Sequence, residues 1–340
     1  MKVGVIGLGG MGRHHARVIR GFKFVREIIG CDLSAECRAK AEKDGMRTVP
    51  DIPALLALEP DAVFVITQAT VHAAAIEPCL RAGLPVFTEK PLATNLADCR
   101  RLVALAARKR VPFQVGFELR CCGMTRAMND VLKSGLIGKP LHGSLVQLSG
   151  PHSGAHMARK RTGGIFYEKL CHQVDTFRMW LGEPKRIMAI SGTNALKQYE
   201  IPDNVLACME FPGGKTGKIL FQTTRAAQVG GTSDFGDRGH FYEMTLTCTK
   251  GSLTYSPWTD TLSVVRFNHR PDCQNELVDR FIVSFRYGES VYDLWTEDGE
   301  FLRRVKRGKP PAFPASDALK TMEWVAKAEK SLASRGAWVS

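Results

Sequence analysis

The feature that most constrains the fold is a glycine-rich turn within the first twelve residues. Residues 7–12 read G-L-G-G-M-G, which is the spacing G-x-G-x-x-G. The turn directly follows a predicted buried strand, Val3–Leu8, and opens a helical pattern over Met11–Arg20. Strand, turn and helix in this order, at the start of an alternating α/β chain, form the fingerprint of a dinucleotide-binding domain.

Each glycine of this turn has a separate physical task. Gly7 allows the tight turn, Gly9 lets the backbone approach a pyrophosphate, and Gly12 lets the helix pack closely on the strand. The helix N-terminus then presents N–H groups and a partial positive charge to the phosphates. The residues of the turn expected to contact the cofactor are Gly7, Leu8, Gly9, Gly10, Met11 and Gly12.

An acidic residue stands where a dinucleotide site needs one. Asp32 ends the second predicted strand, Glu27–Asp32, about 20 residues after the turn. Its carboxylate would accept hydrogen bonds from the adenosine ribose and repel a 2′-phosphate. Leu33 and Ser34 follow it, without an arginine to bind that phosphate. The sequence therefore favours NAD as the cofactor and leaves NADP open.

The chain divides into two regions of different pattern. Residues 1–118 alternate short apolar runs with helical patterns, which predicts a parallel sheet covered on both faces and a Rossmann dinucleotide-binding domain. Residues 119–340 carry alternating runs separated by Gly and Pro, interrupted by a helix near Glu168–Leu181. This pattern predicts a mainly antiparallel sheet with one face buried. Helical patterns return at Leu294–Lys306 and Ala315–Ser334, and these helices could pack back on the first domain.

Composition excludes several classes of protein. Hydrophobic residues make up 44% of the 340 residues and charged residues 24%, as in a globular domain rather than a disordered chain or a coiled coil. No apolar stretch reaches the roughly 18 residues of a membrane span. The net charge of +13 is spread along the chain and aromatic residues make up only 8%, so nucleic-acid binding is not expected. We expect a cytoplasmic protein whose ten cysteines are mostly buried free thiols.

Three further motifs bring a known family into view. Glu89-Lys90-Pro91 ends a predicted strand, Thr67–His72 follows another, and Gly163-Gly164 precedes the run Glu168–Asp175. Together with the glycine turn and His15, the chain resembles the glucose-fructose oxidoreductase, inositol dehydrogenase and rhizopine-catabolism (Gfo/Idh/MocA) family along its whole length. The combination of motifs is specific, although each motif alone is not.

The resemblance implies a role for each matching position. Lys90 would be the catalytic lysine, and His172 the histidine that moves protons with it. Glu168 is the third candidate catalytic residue and would orient the substrate or His172. Asp175 matches the aspartate that follows this histidine in the family and is a candidate substrate residue. Thr67, His72, Glu89 and Lys90 would line the cofactor site, and Arg120, after the last Rossmann strand, is a candidate substrate residue. The resemblance also implies that residues 119–340 form an α/β domain with a large, open, mainly antiparallel sheet that serves for substrate binding and oligomerisation. A homodimer or homotetramer is implied, because the exposed face of such a sheet commonly mediates assembly in this family.

One position departs from the family pattern. Four residues before the histidine, members that resemble inositol dehydrogenase carry aspartate, whereas this chain has Glu168. The additional methylene changes the reach and angle of the carboxylate toward a substrate hydroxyl. Oxidation of a sugar or another polyol is therefore favoured over oxidation of a cyclitol in particular.

The same residues have plainer interpretations when they are considered without the family. Lys90 could be a surface lysine paired with Glu89, or a base whose pKa is depressed beside a cationic nicotinamide. Glu168, His172 and Asp175 are spaced i, i+4 and i+7, which places them on one face of a predicted helix. The histidine between them could relay protons, be held by structural hydrogen bonds, or form part of a metal site, although no third ligand is evident and no metal is expected.

The sequence as a whole predicts an NAD(P)-dependent dehydrogenase that oxidises a secondary hydroxyl of a sugar, sugar derivative or polyol to a ketone, or catalyses the reverse reaction. A glycosidase that uses NAD in a closed cycle of oxidation, elimination and re-reduction is one alternative, and a ligand-sensing regulator of the same fold is another. Arg159, in the basic run before Gly163, would bind an acidic group of a substrate. His152 and His156 are further candidates for specificity.

Overall fold

The protein is described by a computed structural model that covers residues 1–150, 157–223, 240–256, 259–268, 276–284 and 293–340. The chain divides into two compact units. Unit 1 consists of Met1–Phe117, Lys160–Gly163 and Leu294–Glu323, and unit 2 of Glu118–Arg159, Gly164–Asp293 and Trp324–Ser340. Unit 1 therefore includes two segments that lie beyond residue 118 in the sequence.

Strands and helices alternate through the first 117 residues. In chain order they are β1 (Lys2–Ile6), α1 (Gly10–Arg20), β2 (Glu27–Cys31), α2 (Ala35–Lys43), β3 (Arg47–Val49), α3 (Ile52–Leu56), β4 (Ala62–Val65), α4 (His72–Arg81), β5 (Val86–Glu89), α5 (Leu96–Lys109) and β6 (Phe113–Gly116).

The rest of the described chain contains the remaining elements. They are α6 (Gly123–Lys133), β7 (Pro140–Ser149), α7 (Arg159–Thr162), a π-helical turn (Phe166–Leu170), α8 (Cys171–Leu181), β8 (Arg186–Ile190), β9 (Asn204–Glu210), β10 (Thr216–Thr223), β11 (His240–Cys248), β12 (Gly251–Ser256), β13 (Thr261–Asn268), β14 (Glu276–Ser284), α9 (Leu294–Lys306) and α10 (Ala315–Ala333).

The sheet of unit 1 is parallel, with the strand order β3-β2-β1-β4-β5-β6. Its central strands are buried along their length, as a sheet covered on both faces requires. The chain order reverses between β1 and β4, and ligands of such sheets bind at the carboxyl ends of the strands beside this switch point. Gly7, Asp32, Thr67 and Lys90 follow the carboxyl ends of β1, β2, β4 and β5. The Rossmann fold predicted from the sequence is confirmed.

The N-termini of α2 and α5 are capped by side chains. Ser34 caps α2 with its hydroxyl, which accepts a hydrogen bond from the N–H of Cys37 at 3.3 Å. Asn95 caps α5, and its side-chain oxygen accepts from the N–H of Asp98 at 2.9 Å. Each cap satisfies one of the backbone donors that a helix N-terminus leaves without an intrahelical partner.

The sheet of unit 2 has the described order β14-β13-β12-β11-β7-β10-β9-β8. Its neighbouring strands are antiparallel except for β7 and β10, which run parallel. Helix α8 approaches the sheet closely at this parallel pair, where Gly143 and Gly217 face each other in register. A Cβ on either glycine would lie 2.5 or 2.8 Å from the ring of Phe177 on α8. Phe177 thus anchors α8 to the sheet, and the mainly antiparallel sheet predicted from the sequence is confirmed.

Helix α9 begins and ends at the predicted residues and belongs to unit 1. Its Phe301 is buried and packs against Phe64 of β4 and Phe87 of β5, with ring centroids 5.5 and 5.7 Å away. The nine described cysteines are free thiols. Within the described ranges, no helix is long and apolar enough to cross a membrane.

Candidate active site

The glycine turn of unit 1 has two tight positions and two open ones. Gly7 has a φ of +93°, and a Cβ there would lie 2.5 Å from the carbonyl oxygen of Ile66. At Gly12 an added Cβ would overlap the carbonyl oxygen of Gly7. At Gly9 and Gly10, in contrast, no described atom lies within 4 Å of an added Cβ. The turn is therefore closed toward the sheet and open on its outer side, as close approach of a phosphate requires.

The N-terminus of α1 lies at this open side. Gly9 is its N-cap, and among the described residues no side chain caps the helix. Helix N-terminal N–H groups without a side-chain cap are suited to bind an anion. Leu8 is buried and contributes its backbone, whereas Met11 is half-buried.

Asp32 holds the turn and keeps acceptor capacity. Its Oδ2 accepts a hydrogen bond from the N–H of Leu8 at 2.7 Å, and its Oδ1 accepts from the N–H of Ser34 at 2.8 Å. Each carboxylate oxygen has a second acceptor position. The half-buried side chain can therefore brace the turn and still accept hydrogen bonds from ribose hydroxyls.

An arginine that sequence reasoning missed supports the same segment. Arg38, in the first turns of α2, donates from Nη1 to the carbonyl oxygens of Asp32 at 2.7 Å and Leu33 at 3.1 Å. The prediction considered only the residues directly after Asp32. Because Arg38 lies one helical turn after Ser34, its side chain returns to Asp32 and Leu33. This spacing was the signal that the sequence offered.

His72 joins two loops at the carboxyl ends of β4 and β5. Its Nδ1 lies 2.7 Å from the carbonyl oxygen of Pro91, and its Nε2 lies 3.1 Å from that of Thr67. Burial lowers the pKa of His72, while the two carbonyl contacts act in the opposite direction. The buried ring therefore contributes to this region through the two backbone segments that it connects.

Lys90 leaves the sheet at the carboxyl end of β5 and is half-buried. Its backbone N–H donates to Oε2 of the preceding Glu89 at 2.9 Å. The peptide bond to Pro91 is cis. The carboxylate of Glu89 thus binds the backbone of the candidate catalytic residue, a different contact from the side-chain ion pair considered in the plainer interpretation.

In unit 2, the helix that carries Glu168 and His172 is not one regular α-helix. Glu168 lies in the π-helical turn Phe166–Leu170, and His172 lies in the first turn of α8. A π-turn has i→i+5 rather than i→i+4 hydrogen bonds, so Glu168 precedes His172 on a wider turn than a regular α-helix has. Glu168 is half-buried, with Oε1 3.8 Å from Nζ of Lys169.

The carboxylate that the structure shows at His172 is that of Glu118. His172 Nε2 lies 3.4 Å from Glu118 Oε1, and both side chains are buried. Glu118 opens a short 3-10 turn directly after β6. Sequence reasoning missed it, since no spacing links two residues that lie 54 positions apart.

Arg120 and Asp175 bind each other. The Nε and Nη2 atoms of Arg120 each lie 2.5 Å from a carboxylate oxygen of Asp175, in a bidentate arrangement. The side chain of Asp175 is 1% exposed and that of Arg120 is 11% exposed. Arg178 lies 3.8 Å from the same carboxylate. Both residues were predicted from the sequence, but not as a pair.

Arg159 is exposed, and its guanidinium lies 3.7 Å from the carboxylate of Glu329 on α10. Glu329 Oε1 accepts a hydrogen bond from the N–H of Phe166 at 2.8 Å, at the start of the π-turn. Burial raises the pKa of Glu329, while Phe166 and Arg159 act to lower it. His152 and His156 lie outside the described residues.

Comparison with known proteins agrees with this geometry. A family model described as an oxidoreductase family with an NAD-binding Rossmann fold matches residues 1–117, and a GFO/IDH/MocA C-terminal domain matches residues 125–254. An inositol 2-dehydrogenase of Rhizobium meliloti is 30% identical over 68% of this chain and 70% of its own length. The chain belongs to the GFO/IDH/MocA family. It is therefore an NAD-binding oxidoreductase.

Two further comparisons cover nearly the whole chain. A myo-inositol 2-dehydrogenase of Thermotoga maritima is 28% identical over 98% of this chain and 96% of its own length. The crystal structure of an oxidoreductase from Agrobacterium radiobacter with NAD+, L-tartaric acid and magnesium superposes with a TM-score of 0.83 at 21% identity. The superposition covers 100% of this chain and 98% of the Agrobacterium radiobacter chain, which supports the fold.

The residues of unit 1 fit the cofactor of the GFO/IDH/MocA family. The turn is open outside Gly9 and Gly10, the N-terminus of α1 carries no side-chain cap in the described chain, and Asp32 retains acceptor positions. Each of these features suits one part of NAD, the pyrophosphate or the adenosine ribose. The open turn and Asp32 would therefore hold the dinucleotide.

Proposed function

We propose that this protein oxidises a secondary hydroxyl of a sugar, sugar derivative or polyol, cyclitols included, to a ketone with NAD, or catalyses the reverse reaction. The observation that carries the proposal is the position of Lys90. This half-buried lysine follows the carboxyl end of β5, in the same unit and sheet as the dinucleotide turn after β1. Ligands of α/β sheets bind at these strand ends.

The cofactor would be held by residues of unit 1. When bound, NAD+ accepts the hydride from the alcohol carbon. The backbone of the glycine turn and the N-terminus of α1 bind the pyrophosphate, and Asp32 binds the adenosine ribose. Thr67, His72 and Glu89, at the carboxyl ends of β4 and β5, would line the nicotinamide half of the cofactor site.

The hydroxyl proton requires a base, and two side chains are proposed for this step. Lys90 accepts the proton or holds the developing alkoxide, and His172 relays the proton to solvent. Glu118 orients the imidazole of His172 from 3.4 Å. Glu168 would contact or orient the substrate, and the Arg120–Asp175 pair would support the start of α8.

The substrate class rests on the relatives and on Glu168. The two curated relatives described above are named inositol 2-dehydrogenases, which makes polyols the first substrates to test. Glu168 in a π-helical turn distinguishes this chain from members with aspartate at that position, and we expect it to shift specificity away from inositol. Arg159 has Glu329 as its neighbour, so an acidic substrate is the weaker expectation.

The decisive experiment is NADH formation, followed by absorbance, over a panel of sugars, uronates, inositols and anhydrosugars. Lys90→Ala and His172→Asn are measured beside the wild type, and Lys109→Ala, an exposed lysine of the same unit, is the matched control. We expect activity with one substrate class, lost by at least about 100-fold in both site variants and retained in the control. Turnover without net NADH would contradict the proposal and indicate a closed redox cycle. Bound NAD with no turnover across the panel would contradict the substrate class.

Assembly and location remain predictions. We propose a homodimer or homotetramer, and the molar mass in solution measured by light scattering tests it. A strictly monomeric mass would contradict this expectation. The cytoplasmic location predicted from the sequence is tested by fractionation of the producing cell.

A further inference from the structure

Next to Lys90, unit 1 contains a connected series of three buried ionisable side chains. His15 of α1 lies between the carboxylates of Asp298 and Glu89, with Nδ1 2.9 Å from Asp298 Oδ2 and Nε2 3.1 Å from Glu89 Oε1. His15 and Asp298 are fully buried, and the side chain of Glu89 is 11% exposed. Asp298 belongs to α9, so this series of contacts joins residues that lie 283 positions apart in the sequence.

The hydrogen bonds of His15 determine how many protons these three side chains carry and therefore their net charge. Each ring nitrogen of His15 faces a carboxylate oxygen, and an ionised carboxylate only accepts hydrogen bonds. Both contacts are satisfied when both ring nitrogens carry hydrogen. Burial alone acts to lower the pKa of His15, but Asp298 and Glu89 outweigh it and raise that pKa well above its ordinary value. Burial raises the pKa of Asp298, and His15 opposes this shift.

The series of contacts ends at the backbone N–H of Lys90. One oxygen of Glu89 contacts His15, and the other accepts the hydrogen bond from the N–H of Lys90 at 2.9 Å. A protonated Glu89 could accept only weakly at one of these oxygens. The two contacts are therefore compatible with each other when Glu89 is ionised.

Other charges around Glu89 oppose its ionisation. Gly116 of β6 pairs with Glu89 in register, and Oε1 of the buried Glu297 on α9 would lie 3.5 Å from a Cβ on Gly116. Asp298 adds a second carboxylate on the same helix. His72 and Lys90 are further titratable groups near Glu89, and burial lowers the pKa of His72. The imidazolium of His15 lies in direct contact with Glu89 and offsets the negative charges.

We propose that Asp298 and His15 are positioning residues that keep Glu89 ionised and thereby fix the backbone of Lys90. The inference deepens the proposed function and rests on its assignment of Lys90 and the cofactor. It also places a negative charge on the nicotinamide half of the sheet. Because NAD+ carries a positive ring and NADH does not, an ionised Glu89 favours binding of NAD+ relative to NADH.

The test measures the dissociation constants of NAD+ and NADH by calorimetry between pH 6 and 8, without substrate. In the wild type we expect the dissociation constant of NAD+ divided by that of NADH to stay the same across this pH range. In Asp298→Asn the ratio should rise at least about threefold as the pH falls, because Glu89 takes up a proton once His15 loses its partner. Glu89→Gln should show a raised ratio without pH dependence, and adding Asp298→Asn to it should change nothing further.

Phe301→Leu is the matched control for a structural effect of α9. It loosens the packing of the same helix without changing a charge, so the ratio should follow the wild type. A folded Asp298→Asn whose ratio follows the wild type overturns the proposal. An effect of Asp298→Asn that persists in the Glu89→Gln background also overturns it. A wrong substrate class would leave these results intact, because no substrate is present.

A second measurement does not depend on the stability of any variant. Nitrogen-15 labelling of the histidine rings reports the protonation of His15 in the wild-type protein, with assignment by His15→Gln. We expect two protonated nitrogens at pH 7.5. A neutral ring at that pH overturns the proposal.

Discussion

The imidazole Nε2 of His172 lies 3.4 Å from Oε1 of Glu118, and both side chains are buried within unit 2. His172 comes from the first turn of α8 and Glu118 from the short turn after β6. A buried carboxylate beside an imidazole selects which ring nitrogen carries hydrogen and holds the ring in one orientation. We therefore expect Glu118 to control how His172 exchanges protons in the proposed reaction.

Replacing Glu118 tests this relationship. Glu118→Gln keeps the size of the side chain but removes its charge, so the ring of His172 is no longer held in one protonation state. We expect kcat to fall about 10- to 100-fold while the dissociation constant of NAD+ stays unchanged. Steady-state kinetics and calorimetry measure the two quantities. The control is Glu210→Gln, a half-buried carboxylate of the same unit paired with Arg186. A kcat within twofold of the wild type would contradict the prediction.

Asp175→Asn is expected to destabilise unit 2 strongly. The substitution removes the charge that two nitrogens of Arg120 contact at 2.5 Å and leaves that guanidinium buried without its carboxylate. Breaking a buried ion pair from one side costs about 3–5 kcal/mol of unfolding free energy. Urea denaturation measures the loss. Replacing both residues by apolar ones, Arg120→Met with Asp175→Leu, should recover much of it.

The control for Asp175→Asn is a variant of a solvent-exposed ion pair. Glu36→Gln removes the same charge from an exposed pair with Lys40 on α2. Such pairs contribute at most about 1 kcal/mol, because water screens the charges and the side chains lose freedom when they pair. Equal losses of unfolding free energy in Asp175→Asn and Glu36→Gln would show that the Arg120–Asp175 pair is not an important structural contact.

Features set by neighbours in sequence could be predicted. The parallel sheet follows from apolar runs such as Val3–Leu8, and the starts of α2 and α5 follow from Ser34 and Asn95, whose side chains bond to N–H groups three residues later. The glycine turn was identified for the same reason, because strand, turn and helix are consecutive. In each of these features, the cause and its effect lie within one turn or one strand.

Contacts between distant segments could not be predicted. Glu118 reaches His172 across 54 positions, Glu329 reaches Phe166 across 163, and Asp298 reaches His15 across 283. The π-turn that carries Glu168 was missed because the apolar periodicity of a five-residue segment does not separate it from an α-helix. The parallel pairing of β7 with β10 depends on the register of the whole sheet, which no local pattern determines.

The glycine turn allows cofactor binding to be separated from folding. Gly9 has an ordinary φ of −64° and open space around it, so Gly9→Ala should leave the melting temperature unchanged. Its methyl group would occupy the space that a pyrophosphate approaches, so NAD+ should bind at least about tenfold more weakly. Gly12→Ala should lower the melting temperature, because its Cβ overlaps the carbonyl of Gly7. Thermal melts and calorimetry distinguish the two, and equal loss of stability in both variants would contradict the assignment.

Glu329 gives a prediction on pH dependence. Burial raises its pKa above the ordinary value, so the folded chain binds this proton more tightly than the unfolded chain. Stability from this group is therefore present at low pH and is lost as the pH rises from the unfolded pKa, about 4.3, through the raised one. Glu329→Gln keeps an acceptor for the N–H of Phe166 and does not titrate. The variant should thus gain unfolding free energy relative to the wild type between pH 4.5 and 8, by about 1.4 kcal/mol for each unit of pKa shift. Urea denaturation across this range measures the difference, and a difference that does not vary with pH, or that falls as the pH rises, would show that the buried Glu329 carboxyl does not carry this cost.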